Sequence, residues 1–428
     1  MKFAAISDTH FGDPNGTLVI KNQAGNYVKG PKYDDFKKAA GTKNDYLILL
    51  GDIFDFSIIE YEEVYSAAKA FFLQIQKDDI AREMIYVPGN HDSSVWHIVE
   101  HQVNIINKIK KHQPAEKFRQ SVPGIIDDRK NSSHKGFTLY GVTTQPKTSK
   151  SKYGGLYMDE ITKPEGNITY FNFAHPNLYI VTDNESVLMT HGHFFETYWS
   201  LASEWLPKIV GGDLKIGGEM DVREMVGINF PLTQLACTGI GQAGVLTPLI
   251  RKIQRSVKDG DLAKLRKYAD RLDDEVDKLL KYPFYKHYLE WITDAISNSM
   301  KKMIIEKLER FEDTRFNEEF IHNEKVRERV RKFYAATMVE IDEINQKENY
   351  NLKPPAKIIF GHTHQPLTFD DPKPARLPYN HAGNHLDVLL YNTGGWLWKL
   401  DRNGGKTLCG AAVFSYETGK GFKSVKIT

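Results

Sequence analysis

Five times along this chain a short apolar run breaks into a turn carrying Asp, Asn or His. Ala4-Ala5-Ile6-Ser7 leads into Asp8-Thr9-His10, and Tyr46-Leu47-Ile48-Leu49-Leu50 leads into Gly51-Asp52. Met84-Ile85-Tyr86-Val87-Pro88 leads into Gly89-Asn90-His91-Asp92. Val187-Leu188-Met189-Thr190 precedes His191-Gly192-His193, and Ala356-Lys357-Ile358-Ile359-Phe360 precedes Gly361-His362-Thr363-His364. Such runs read as buried strands. Open α/β sheets place their sites outside the carboxyl ends of their strands, which is where all five turns fall.

The intervening segments fit a layered sheet. Apolar positions at helical spacing over 60–80 (Val64, Ala67, Ala68, Phe71, Phe72, Ile75) predict a helix, and Asp34–Ala40 another. Strand, helix, strand then repeats, the pattern of an α/β layer architecture. The stretch 13–33, rich in Gly, Asn, Asp and Lys, reads as a loop, and 95–112 as helical. Phe137–Val142, Tyr179–Val181, Val388–Tyr391, Ala411–Tyr416 and Ser424–Ile427 read as further strands, with a hairpin turn at Asn403-Gly404-Gly405. The basic stretch Lys147–Lys152 reads as solvated loop.

Residues 196–345 differ in character. Asp261–Leu280, Tyr288–Phe311 and Val326–Ile344 are amphipathic, and 24 basic side chains face 26 acidic ones. This predicts three parts: core at 1–195, a helical cap insertion at 196–345, and core again at 346–428. Met225–Ile250 lacks charge but contains Pro231, Pro248 and several glycines. It reads as a buried, broken helical segment rather than a membrane span, with a lid touching lipid or an apolar substrate as the alternative.

A net charge of +2 gives no general argument for a nucleic-acid partner. Two distant cysteines, Cys237 and Cys409, suit a reducing compartment. Ligand-type residues by position 8 leave no room for a signal peptide, so the expected location is cytoplasmic.

Asp8 and His10, two apart at a strand end, can point to one face, and His362 and His364 repeat that spacing. With Asp52 they can converge on a divalent ion, and a shared carboxylate makes room for a second. Two such ions lower the pKa of a bridging water and clamp a phosphoryl oxygen. Asn90 adds a neutral amide oxygen. His91 can give a proton to a leaving oxygen, with Asp92 expected to orient its ring. His97 and His101 read as a surface pair, and Trp396 and Trp398 as packing residues. His381 and His385 are candidates to line the pocket.

Asp8-x-His10, Gly51-Asp52-x-x-Asp55, Gly89-Asn90-His91-Asp92, His191-Gly192-His193 and Gly361-His362-Thr363-His364 together resemble the calcineurin-like metallophosphoesterase superfamily. The resemblance implies a four-layer αββα sandwich with a large helical insertion. It implies one ion on Asp8, His10, Asp52 and His364. The other would sit on Asp52, Asn90, His191 and His362. It casts His91 as the acid and a metal-bridging hydroxide as the nucleophile. Manganese is the expected metal, with iron or zinc as alternatives. Asp55 would support the site rather than bind metal. Phe56 stands where protein-phosphatase members carry Arg, which argues against a phosphoprotein phosphatase.

Two branches compete. The helical insertion and Asn392–Trp396 resemble the UDP-diacylglucosamine pyrophosphatase group, which implies a nucleotide- or lipid-linked substrate and peripheral membrane contact. Gly89–Ser93 resembles the Mre11/SbcD nuclease branch, with nucleic acid as the less favoured partner. A binding or scaffold protein with a vestigial metal site is the reading from another class.

Overall fold

The computed structural model describes residues 1–57, 59–142, 158, 161–162, 170–196, 199–200, 220–234, 237, 242, 319–348, 350–381, 383–400, 405–408 and 410–428. Two compact units divide the chain: Met1–Gln242 with Arg315–Thr428, and Ala243–Thr314. The second unit lies outside the described residues, and with it the helices expected at Asp261–Leu280 and Tyr288–Phe311. So do the basic stretch 147–152 and Cys409.

The first unit is an α/β sandwich. One sheet has six strands in the order Gly421–Ile427, Ala411–Glu417, Lys2–Ile6, Asn44–Leu49, Ala81–Tyr86, Tyr170–Phe173. The last four run parallel. The other has seven, in the order Ala375–His381, Asn384–Asn392, Lys357–Phe360, Ser186–Thr190, Asn177–Val181, Gly124–Asp127, Gly136–Leu139. Its Asn384–Asn392, Lys357–Phe360 and Ser186–Thr190 strands run parallel. The sheets face each other, bringing Tyr391 to Phe414 (ring centroids 6.4 Å apart) and Tyr46 to Phe137 (6.3 Å). Strands covered on both faces need near-continuous apolar sequence. Phe3-Ala4-Ala5-Ile6 and Leu47-Ile48-Leu49 are accordingly fully buried.

Helices close the outer faces. The Tyr61–Lys77 helix buries all six positions that its 3.6-residue period singled out. The Tyr33–Ala40 helix lays Phe36 edge-on to Trp396. The Glu324–Glu348 helix covers the seven-stranded sheet, with Phe333 against Phe195 and Phe194 and Tyr334 against Tyr379. It also buries a carboxylate, Glu340, which accepts from Tyr179, Asn177 and Ser121 at 2.6–2.9 Å. Burial nonetheless holds the Glu340 carboxyl above the usual range, the three donors offsetting only part of that push.

The stretch 13–33 is not wholly loop: Val19–Lys21 and Tyr27–Lys29 pair as an antiparallel hairpin. Its Asn22-to-Asn26 turn, closed on the Asn22 side chain and carrying Gly25 at φ +82°, dominates a pattern whose flanking strands are only three residues long. The 95–112 helix is Ser93–His101 continued by a π turn at Gln102–Ile106 and a short Asn107–Lys110 turn. Trp398–Leu400 and Lys406–Leu408 pair antiparallel, while Asn403 and Gly404 of the expected hairpin turn lie outside the described residues. The Met225–Ile250 stretch starts inside the Val222–Gln234 helix, which contains Pro231 and packs Phe230 on Phe118. Among the described residues no helix is long and apolar enough to cross a membrane.

His175 is fully buried against Trp96, and neither ring nitrogen has a hydrogen-bond partner among the described residues. Burial pushes its pKa down from 6.5 to about 3. The unfolded chain then binds a proton that the folded one refuses, so stability is full above pH 6.5 and falls as pH drops toward 3. The loss is of the order of 4 kcal/mol across that window. His175→Phe keeps the stack and removes this part of the acid slope. Urea midpoints measured from pH 7 to pH 4 check it, and an unchanged slope contradicts it.

Candidate metal centre

All five motif turns meet at the carboxyl ends of parallel strands from both sheets. The chain turns there through left-handed backbone: Asp8 (φ 52°), His10 (φ 44°), Asp52 (φ 51°), His362 (φ 72°) and His364 (φ 56°). That conformation costs an L-residue roughly 1–2 kcal/mol. Its recurrence at residues of ligand type is the signature of strain held for function. Two glycines admit the resulting crowding. A Cβ on Gly89 would collide with Asp52 Oδ1, and one on Gly361 with Asp8 Oδ2 and Ser7.

Three groups result among the described residues, one of them His10 with Asp55 and His91, and two made of residues expected as ligands. Asp8, His10 and His364 offer ligand atoms within 4.8 Å of one another, and so do Asp52, His191 and His362. His10 Nε2 and His364 Nε2 lie 3.0 Å apart, and His364 Nε2 is 3.2 Å from Asp8 Oδ1. In the second cluster His191 Nε2 is 3.2 Å from Asp52 Oδ2 and 3.1 Å from Asn90 Oδ1. Asp52 Oδ2 also lies 3.9 Å from His10 Nε2, so this carboxylate stands between the clusters. All seven residues expected as ligands are therefore brought together, and all are buried.

The electrostatics are those of a cation site. Burial works to raise the Asp8 and Asp52 carboxyls, but neighbouring imidazoles outweigh it. His364 holds Asp8 below the usual carboxylate range, and His191 with His91 holds Asp52 well below it. Burial likewise works to lower His191, yet the charge of Asp52 pushes it up to about 9. His193 is also buried, with its ring 5.5 Å from that of His191; desolvation, then the neighbouring His191 and His362, hold its pKa well below the usual histidine value. An array of ionised carboxylates and imidazoles, with His362 Nδ1 buried and without a partner among the described residues, fits divalent ions of borderline character.

His91 is the most open of these imidazoles, with 16% of its side chain exposed. The carboxylate on its ring is Asp55, not Asp92. Asp55 Oδ1 is 2.8 Å from His91 Nδ1, and Oδ2 is 2.9 Å from His10 Nδ1. Asp92 follows His91 directly, and the turn sends its side chain inward. There it accepts the Ile53, Phe54 and Gly89 amides and the Tyr86 hydroxyl. Asp92 thus clamps two ligand turns, and burial beside Asp52 raises its pKa to about 6. The contact with the His91 ring expected of Asp92 is made by Asp55 instead.

His381 and His385 sit at the far end of their hairpin: His385 begins the strand that reaches the site at Asn392, seven residues on. At ~3.3 Å per residue that places them more than 20 Å away, so they do not line the pocket. His97 and His101 bond each other at 2.7 Å, with His101 exposed. Trp396 is buried. Phe56 packs edge-on to Tyr61 as a core residue. Ser93 is buried beside Gln234 and Cys237, so it serves packing. One residue was missed altogether: Glu196 Oε2 lies 2.7 Å from His362 Nε2. Its only sequence signal is nearness to His191.

Removing the two carboxylates separates their parts. Asp55→Asn weakens the hold on His91 and His10, and turnover falls about 10- to 100-fold with little loss of stability. Asp92→Ala leaves buried amides without an acceptor and costs a few kcal/mol in folding. Steady-state kinetics beside denaturant melts check the pair; the reverse pattern would contradict the assignment.

The family model for calcineurin-like phosphoesterases matches residues 1–208. No curated protein matches the chain. The matched span carries four of the five ligand turns, and the fold brings the fifth, at His362 and His364, onto them. That match over residues 1–208 supports the calcineurin-like metallophosphoesterase superfamily and indicates a metal-dependent phosphoester hydrolase.

Proposed function

We propose that the protein hydrolyses a phosphodiester or pyrophosphate at a dinuclear centre, with manganese as the metal. The observation that carries this is Asp52, standing between two ligand clusters with His91 at their edge. Asp8, His10, Asp52 and His364 would hold one ion, and Asp52, Asn90, His191 and His362 the other. Bound there, the ions supply Lewis-acid activation of water and neutralise charge on phosphorus.

The protein's own groups do the rest. Asp55 accepts from His91 Nδ1 and favours the protonated ring, and that imidazolium would give its Nε2 proton to the departing oxygen, leaving the neutral Nδ1–H tautomer on Asp55. The His91 amide donates to Asp52 Oδ1 at 2.8 Å, tying the acid's backbone to the shared ligand. Asn90 brings its oxygen without adding charge, which favours an anionic substrate. The insertion within 196–345 leaves the core beside the site, and we assign it the choice of substrate, nucleotide- or lipid-linked. Cytoplasmic residence is our reading of the cysteine usage.

The test is metal-stripped protein reloaded with manganese and given a chromogenic phosphodiester beside the matching monoester. The diester should turn over faster; a clear monoester preference overturns the substrate class. His91→Ala should keep both ions and lose about 10²- to 10⁴-fold in turnover. Two bound ions with no turnover of any phosphoester would favour the scaffold reading instead.

A further inference from the structure

Three of the imidazoles expected as ligands have one nitrogen on an acceptor. His10 uses Nδ1, 2.9 Å from Asp55, and His191 uses Nδ1, 3.0 Å from the Leu50 carbonyl. Both turn Nε2 inward, toward Asp52. His362 is reversed. Its Nε2 lies 2.7 Å from Glu196 Oε2, and its Nδ1 is buried with no hydrogen-bond partner among the described residues.

Glu196 is held where it stands. A single 3-10 turn, His193–Phe195, precedes it, and its amide closes on the His193 carbonyl at 3.0 Å. Phe195 anchors that turn on Phe333 and Phe360, with centroids 5.4 and 5.3 Å away. The Glu196 carbonyl accepts the Ser200 hydroxyl at 2.7 Å. Its side chain is only 13% exposed, and among the described residues no Lys or Arg pairs with it. A carboxylate that buried requires a donor, and the imidazole N–H supplies it.

We propose that Glu196 is a positioning residue of the second metal site. It accepts the Nε2 proton of His362 and so fixes the tautomer whose Nδ1 lone pair is offered to the ion. A carboxylate behind a histidine ligand fixes ring orientation and raises ligand basicity. The inference rests on the reading of His362 as a ligand of that site. It adds a residue that none of the five motif turns contains.

The experiment uses the full chain, stripped of metal. Manganese binding is followed by calorimetry, and the ring 15N shifts of His362 are recorded in the metal-free and zinc-loaded protein. Wild type should bind two ions. Glu196→Gln should weaken one site about 10- to 100-fold, leave the other within twofold, and shift His362 toward a mixture of tautomers. Glu196→Ala, which offers the ring no acceptor, should show the same pattern with a larger loss. Unchanged affinities and an unchanged tautomer overturn the proposal. Equal weakening of both sites with a lower melting temperature also overturns it, since that is a folding role. A wild-type protein binding a single ion would instead remove the dinuclear reading, and this inference would fall with it.

Discussion

Asp52 Oδ1 accepts the His91 amide at 2.8 Å while its Oδ2 meets His191 Nε2 at 3.2 Å. One carboxylate thereby joins a turn of the six-stranded sheet to a turn of the seven-stranded sheet. Asp8 makes the same kind of link, accepting the His362 amide at 2.9 Å and meeting His364 at 3.2 Å. Burying an ionised carboxylate costs several kcal/mol unless charge and hydrogen bonds compensate. Among the described residues no Lys or Arg pairs with Asp8, Asp52 or Asp55. Backbone amides and imidazoles carry the compensation, and the raised pKa of His191 is the mark of how negative the centre is. Divalent ions answer the same field with more charge, so folding and metal binding draw on one electrostatic feature.

The backbone bears the geometric side of that arrangement. Five ligand-type residues adopt left-handed conformations, and glycines give up side chains where the neighbouring ligands pass. Such strain persists only where surrounding structure over-determines it. Here the surroundings are buried strands, Asp92 clamping the turns at Ile53 and Gly89, and Asn392 donating to the Gly361 carbonyl at 2.7 Å. The packing of both sheets therefore holds these side chains together.

The convergence of the strand-end turns was legible because burial on both faces and a polar turn leave a plain mark in sequence. The Tyr61–Lys77 helix was legible for the same reason, its apolar face being unmixed. What sequence did not reveal are contacts that join distant segments. Asp55 and Asp92 are both acids near His91 in the chain, and only the direction of each side chain tells which meets the ring. Glu196 reaches His362 across 166 positions, with no spacing rule to mark it. His381 and His385 failed in the opposite way. They are close in sequence to the His364 turn, but an antiparallel hairpin carried them to the other end of the sheet.

Topology also bears on where the insertion begins and ends. Ser186–Thr190 and Lys357–Phe360 are parallel neighbours, and a parallel pair needs a crossover connection, usually a helix. The Glu324–Glu348 helix lies on that sheet, buries Val330, Phe333, Tyr334 and Ile341 against the core, and delivers the chain to Lys357. It has the place of the crossover helix that the pair requires. We therefore read the insertion as growing from the loop between the His191 turn and this helix, with Ala243–Thr314 as its separate body. On that reading the core keeps Val326–Ile344, which sequence pattern alone had grouped with the cap because amphipathic helices look alike whichever unit they serve. Glu196, on His362 at 2.7 Å, lies in the chain between the His191 turn and that helix.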